Sequence, residues 1–343
     1  MKMSPFCKPR LAVKGCEGPR PAMSGPGAPV LLAWCLLALC LLAACGGDGP
    51  DGRDAAAAAE RLHAEYPGPV TGGRFVESLL SDPHILMPTV SADSASSTIN
   101  GLVYVSLLKY DKDLELVPYA AESYEVLDGG TRIRFKLRED VRWSDGEPLT
   151  AEDVEFTYKV MIDPETPTPY AESYKLVQSF RVIDQWRFEV TYEEPYARAL
   201  ISWAMAIVPK HLLEGADPLT SPYARDPVGA GPYKLEEWEP GSHLILTANE
   251  DYFEGRPYID SVVYRIIPDQ DTQFLELKAG NLDTMGLTPQ QYRFQTDGPW
   301  WGAHFQRYEY LSSGYAYLGY NLRNPLFQDR RVRRALTHAI DRD

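Results

Sequence analysis

Every cysteine of the chain lies within its first 45 residues: Cys7, Cys16, Cys35, Cys40 and Cys45. The 298 residues after Cys45 must therefore fold with no disulfide and no thiolate metal site, on a hydrophobic core and hydrogen bonds alone. The chain has the means to do so. Its 343 residues are 44% apolar and 24% charged, a composition suited to two or three globular domains. Thiols crowded at one end, with none in the body, suit an exported protein that reserves one cysteine for chemistry at its N-terminus.

The surroundings of Cys45 fit that reading. Residues 30–44 are an unbroken apolar run of 15, too short for a comfortable membrane span of ~20 residues but the right length for the core of a signal peptide. The run ends in Leu42-Ala43-Ala44-Cys45, followed at once by Gly46-Gly47-Asp48-Gly49. Small residues before a cysteine and a flexible stretch after it resemble a bacterial lipobox, cut before Cys45 and lipidated on it. Residues 1–44 are thus expected to be a lipoprotein signal peptide. Starting at Met23 would leave no Lys or Arg ahead of the apolar run, so residues 1–22 are read as part of it. Residues 45–69, rich in Gly, Asp, Ala and Pro, read as a tether from the membrane. Anchoring would be by lipid alone, with more than one acyl chain making it stable.

Charge narrows the partners. Residues 1–44 carry five basic side chains against Glu17, a net +4 of the total −14, which leaves the body at −18. An acidic body argues against nucleic acid, whose phosphates need a basic field. The run Arg330, Arg331, Arg333 and Arg334 reads as the wet face of a helix rather than a phosphate-binding patch.

Beyond the tether, helices and strands alternate. Strands are expected at 74–80, 233–238, 243–248, 261–267, 305–310 and 315–321. Hairpins are expected at 124–137, around Asp128-Gly129-Gly130, and at 179–191. Thr150 and Asp153 have capping-box spacing ahead of Val154, Tyr158 and Met161, an i, i+4, i+7 stripe. Further helices are expected at 99–108, 196–207, 271–279 and 330–340, the last with Val332, Ala335, Leu336, Ala339 and Ile340 on one face. A long polar loop is expected over 84–97. The fold class is α/β, or α+β mixed, with no internal repeat.

Catalytic chemistry finds no footing. The six histidines, His63, His84, His211, His243, His304 and His338, lack metal-ligand spacing. There is no G-x-S-x-G elbow and no phosphate loop, since Pro232 and Tyr233 follow the Gly229-Ala230-Gly231 turn. Neither a metal nor a cofactor is called for, and the reading is a binder, not an enzyme. A lipid-anchored hydrolase would need a nucleophile and base that do not stand out.

Several segments together resemble the family 5 extracellular solute-binding proteins of ABC transporters, the dipeptide- and oligopeptide-binding group. They include Leu80-Ser81-Asp82-Pro83, Val141-Arg142-Trp143-Ser144-Asp145-Gly146-Glu147-Pro148-Leu149-Thr150-Ala151-Glu152-Asp153-Val154 and Ile207-Val208-Pro209-Lys210-His211-Leu212-Leu213. Others are Pro227-Val228-Gly229-Ala230-Gly231-Pro232-Tyr233-Lys234-Leu235, Asn249-Glu250-Asp251-Tyr252, and Arg331-Val332-Arg333-Arg334-Ala335-Leu336-Thr337-His338-Ala339-Ile340-Asp341-Arg342. Such segments run in family order from Gly72 onward. Most read as scaffold: a turn, a helix cap, a strand entry.

The resemblance implies a class II periplasmic-binding-protein-like fold. Domain I would combine 70–104 with 222–270, an inserted domain II would cover 105–221, and 271–343 would be a partial second lobe. It implies a monomer that closes on a peptide ligand and delivers it to a membrane ABC permease, from the periplasm or the cell surface. A sensor on the same scaffold, or a binder of nickel complexes, haem or oligosaccharides, stays open. Candidate ligand contacts are the loop residues Thr89, Val90, Ser91, Asp93 and Ser94, then Tyr170, Tyr315 and Tyr317. The helix at 330–340 is followed only by Asp341, Arg342 and Asp343, with no Gly or Asn to cap it. The chain is therefore expected to be C-terminally truncated, with the acidic residue that holds a peptide's α-amino group lying beyond residue 343.

Overall fold

Strict alternation in residues 132–137 sets up the first sheet. In the computed structural model, which describes residues 68–309 and 317–340, Arg132–Leu137 forms a strand (β5) that buries Ile133, Phe135 and Leu137 and turns Arg132, Arg134 and Lys136 outward. It pairs antiparallel with Ala121–Leu127 (β4) on one side and Arg187–Tyr192 (β7) on the other, and Val177–Asp184 (β6) completes the order β4-β5-β7-β6. Register sets Phe135 opposite Phe188 and Ile133 opposite Val190. The two phenyl rings stack with centroids 5.0 Å apart, and Phe180 stacks on Phe188 at 4.8 Å. Trp203, fully buried, fills the centre of this aromatic group and donates its Nε1 proton to the Tyr192 hydroxyl at 2.9 Å.

The second sheet has the order β1-β10-β9-β8, with Arg74–Leu79 (β1), Tyr233–Glu239 (β8), His243–Ala248 (β9) and Ser261–Ile266 (β10). β1 is parallel to β10; the other pairings are antiparallel. The partners β1 and β10 lie far apart in sequence, so the whole first sheet is threaded between them. Leu108–Tyr110 (β2) and Leu116–Pro118 (β3) make a small separate ribbon. One continuous core spans both sheets. A second, smaller cluster gathers Ile267, Phe274, Leu277, Leu282 and Trp301.

The helix Ala151–Ile162 starts where the capping box places it: the Thr150 N–H donates to the Asp153 carboxylate at 2.8 Å. Its stripe Val154, Tyr158 and Met161 is buried, and Asp163 ends it. Asp269 caps Gln270–Lys278, and Gly280 at φ 78° turns the chain out.

Several expectations need correction. The helix expected at 99–108 is Ser94–Val103. It starts early, inside the expected 84–97 loop, because Asp93 caps it, and it stops early because Ile207 donates to the Val105 carbonyl at 2.8 Å and Ser106 bridges Ala206. The same pairing cuts the helix expected at 196–207 to one turn, Ala199–Ser202. Tertiary pairing decides such short apolar runs, since periodicity alone cannot separate a helix from a buried strand. Neither 305–309 nor 317–321 is a strand; the rest of those two expected strands lies outside the described residues. The last helix, Arg330–His338, buries none of its residues, and Leu336 and Ile340 along the expected stripe are 40% and 46% exposed.

The glycine turn ahead of β8 locks the helix Ser94–Val103 in place. Gly231 N–H donates to the Val103 carbonyl at 2.8 Å, and Ser144 N–H donates to the Gly229 carbonyl at 2.8 Å. A Cβ at Gly229 would sit 1.9 Å from the Val103 oxygen, and one at Gly231 would sit 2.3 Å from the Leu102 oxygen. Only glycine permits this approach.

Candidate functional site

The helix so fixed forms one wall of a cavity of about 610 Å³. That wall carries Ser97, Asn100, Gly101, Tyr104 and Val105. Met161, Tyr170, Tyr174 and the stretch from Arg198 to Ala206 form the facing wall. Volume and mixed lining suit a small-molecule or peptide site.

Four tyrosines line it, and each hydroxyl is already engaged. Tyr104 donates to the Leu86 carbonyl (3.1 Å), Tyr170 to that of Ser91 (2.8 Å) and Tyr174 to that of Ser202 (2.7 Å), while Tyr119 shares a short bond with Tyr252. Burial pushes the Tyr104 and Tyr174 hydroxyls well above the ordinary phenol range, so they remain protonated donors. Lys109 lies over the Tyr119 ring, 4.2 Å from its centroid, and is paired with Glu254 at 2.7 Å.

Of the residues singled out from sequence, Ser91 and Tyr170 are brought together here by their hydrogen bond, and both line the cavity. Tyr170 therefore holds the loop against the facing wall. Thr89 is fully buried and off the cavity wall; among the described residues its hydroxyl has no partner. Val90 and Asp93 line a neighbouring depression of about 430 Å³. Asp93 caps the helix: its carboxylate accepts from Ser96 N–H (2.7 Å) and from the Ser96 hydroxyl (2.6 Å). Burial pushes this carboxyl up, but the Ser96 bonds outweigh it and hold the group below the usual carboxylate range. Ser94 is the first helical residue and is exposed. Tyr317 is 80% exposed. Tyr315 and Cys45 lie outside the described residues.

Sequence reasoning missed Asn100 and Arg198. Asn100 left a trace, a polar residue beside Ile99 and Val103 in an otherwise apolar stretch; Arg198 left none. Away from the cavity, Glu237, Glu239 and His243 meet on the β8–β9 hairpin with both carboxylates exposed. The two imidazole nitrogens face different carboxylates, at 3.8 and 3.6 Å.

Two sheets with an inserted segment threaded between the strands of one, and a cavity where helix and insertion meet, make up a class II periplasmic-binding-protein-like fold. The structure superposes on the oligopeptide-binding protein AppA of Bacillus subtilis, solved in complex with a nonapeptide. The TM-score is 0.72 at 32% identity, over 80% of this chain and 55% of that one. The family model of the bacterial extracellular solute-binding proteins, family 5, middle part, matches residues 115–343, and the chain belongs to that family. AppA of B. subtilis strain 168 is 33% identical over 325 residues, covering 92% of this chain and 57% of AppA. Protein XP55 of Streptomyces lividans is 32% identical over 271 residues, covering 78% and 48%. The chain spans about half the length of the curated relatives it matches.

Proposed function

We propose that the chain is the ligand-capturing component of an ABC importer for peptides, exported, anchored through lipid on Cys45 and serving a membrane permease. The observation that carries this reading is the Tyr170–Ser91 hydrogen bond, which ties the loop after β1 to the inserted segment beside a cavity of about 610 Å³. The likeness to AppA supports peptide as the ligand class. Residues 70–104 with 222–270 then act as domain I, 105–221 as domain II and 271–343 as part of the second lobe. The protein's role is to bind and hand over, not to transform. An extended peptide would gain affinity from its backbone hydrogen bonds, with wet pockets accepting varied side chains.

Within the candidate set the roles divide. Ser91 and Tyr170 form the cavity wall; Thr89, Val90, Asp93 and Ser94 shape the loop and helix start behind it. Calorimetric titration of the full chain in detergent, with mixed-sequence nonapeptides and separately with nickel–histidine, haem and an oligosaccharide, tests the reading. Saturable heat with the peptides alone is the expected result. Binding of any of the other three, with none to peptides, would overturn it.

A further inference from the structure

Two side chains on the cavity wall remain unmatched by the protein. Asn100 is only 6% exposed. Its Nδ2 donates to the Ser91 hydroxyl at 3.1 Å, and its Oδ1 has no partner among protein atoms. Turning the amide over exchanges the two atoms without changing the count, since Oδ1 would then accept from Ser91 and Nδ2 would go without. Either way one end of a buried amide is unpaired among the described residues, a desolvation penalty that the fold carries at this wall. Arg198 lies on the facing wall, exposed at the start of the turn Ala199–Ser202, and its guanidinium has no hydrogen bond or ion pair among the described residues. Lys109 and Arg198 are the charged residues of the lining, and Glu254 neutralises Lys109. In a chain of net charge −14, the cavity thus presents one positive charge that no described residue compensates.

We propose that this cavity selects ligands by a carboxylate group. Arg198 pairs with the carboxylate, and Met161, Ile201 and Met205 receive the ligand's apolar part. The guanidinium fork matches both carboxylate oxygens, whereas a neutral ligand would leave it without a partner of comparable strength. The inference rests on the peptide-binding reading. In a peptide the carboxylate is either the free C-terminus or an acidic side chain; the chemistry at Arg198 is the same, and the test separates the two sources.

The experiment is calorimetry on the full chain in detergent with one neutral nonapeptide sequence in three forms: C-terminal acid, C-terminal amide, and amide with one residue replaced by glutamate. Wild type, Arg198→Gln and Asn100→Asp are titrated with each. At least one acidic form should bind wild type about tenfold tighter than the neutral amide, the scale of one charge-assisted hydrogen bond. Which acidic form gains identifies the source. Arg198→Gln should erase that preference, bringing the acidic forms to the affinity the same variant has for the neutral amide, with an unchanged melting temperature since Arg198 is exposed. Asn100→Asp puts a carboxylate on a wall whose described lining has none and should weaken that preference. Equal affinity of all three forms for wild type, or a preference that survives Arg198→Gln, overturns the carboxylate claim and leaves peptide binding standing. Failure of every form to bind overturns both.

Discussion

Gly229→Ala should be among the most damaging single-methyl additions to the fold. The new Cβ would lie 1.9 Å from the Val103 oxygen, 2.6 Å from its carbonyl carbon and 2.7 Å from its Cγ1. Ordinary contact needs well over 3 Å, so two backbone segments must part by about 1.5 Å. Neither can yield alone. Gly229 is tied to Ser144, and Val103 is tied to Gly231, each through a 2.8 Å hydrogen bond. Forced overpacking costs roughly 1–3 kcal/mol. Two weakened backbone bonds add about 0.5–1.5 kcal/mol each. The sum is on the order of 2–6 kcal/mol, or roughly 10 °C in melting temperature for a domain of this size. Circular dichroism melts of the full chain measure it. Gly101→Ala is the control, because Gly101 lies inside the helix Ser94–Val103 with nothing within 4 Å of its added Cβ; it should hold or gain up to about 1 kcal/mol. If Gly229→Ala melts within about 2 °C of wild type, the tight approach of the glycine turn to the helix end is wrong.

Three further outcomes follow from the same geometry. Tyr170→Phe removes the hydroxyl that holds Ser91 and should weaken peptide affinity by about fivefold, near 1 kcal/mol; unchanged affinity in calorimetry, with unchanged amide exchange in the Ser91 loop, would show the bond to be idle. Asp93 has a folded pKa below its unfolded value of about 4. Its cap therefore contributes fully above that unfolded value and is lost as pH falls through the lower folded one. Asp93→Asn, still a good cap, should match wild type at neutral pH and lose less stability between pH 5 and 3, both about the carboxylate range; parallel melting curves would sink the assignment. Cys45→Ala should abolish radiolabelled palmitate incorporation, whereas labelling equal to wild type would remove the lipid anchor from the account.

What could be read from sequence divides along physical lines. β5 and β7 were legible because apolar and polar residues alternate strictly along each, so Phe135 and Phe188 each fell on the apolar side of its strand before the register paired them. The helix Ala151–Ile162 was legible because Thr150 and Asp153 carry a local signal. Residues 99–108 and 196–207 misled because each is a short apolar run, and its state is decided by the other through Val105–Ile207 and Ser106–Ala206. The same limit governs the site. Tyr170 and Ser91 were named from resemblance, yet their mutual bond depends on the inserted segment folding back across 79 positions of sequence. Arg198 gave no signal at all, because an exposed arginine in sequence looks the same whether solvent or a cavity faces it.

The measurement that bears most directly on the central claim is photo-crosslinking of a nonapeptide carrying a photoreactive leucine to the full chain, with peptide mapping of the adducts. The account places crosslinks on the helix Ser94–Val103, at Tyr170 and in residues 198–206, all competed away by excess unlabelled peptide. Competed crosslinks confined to other surfaces, with these three segments unlabelled, would contradict it.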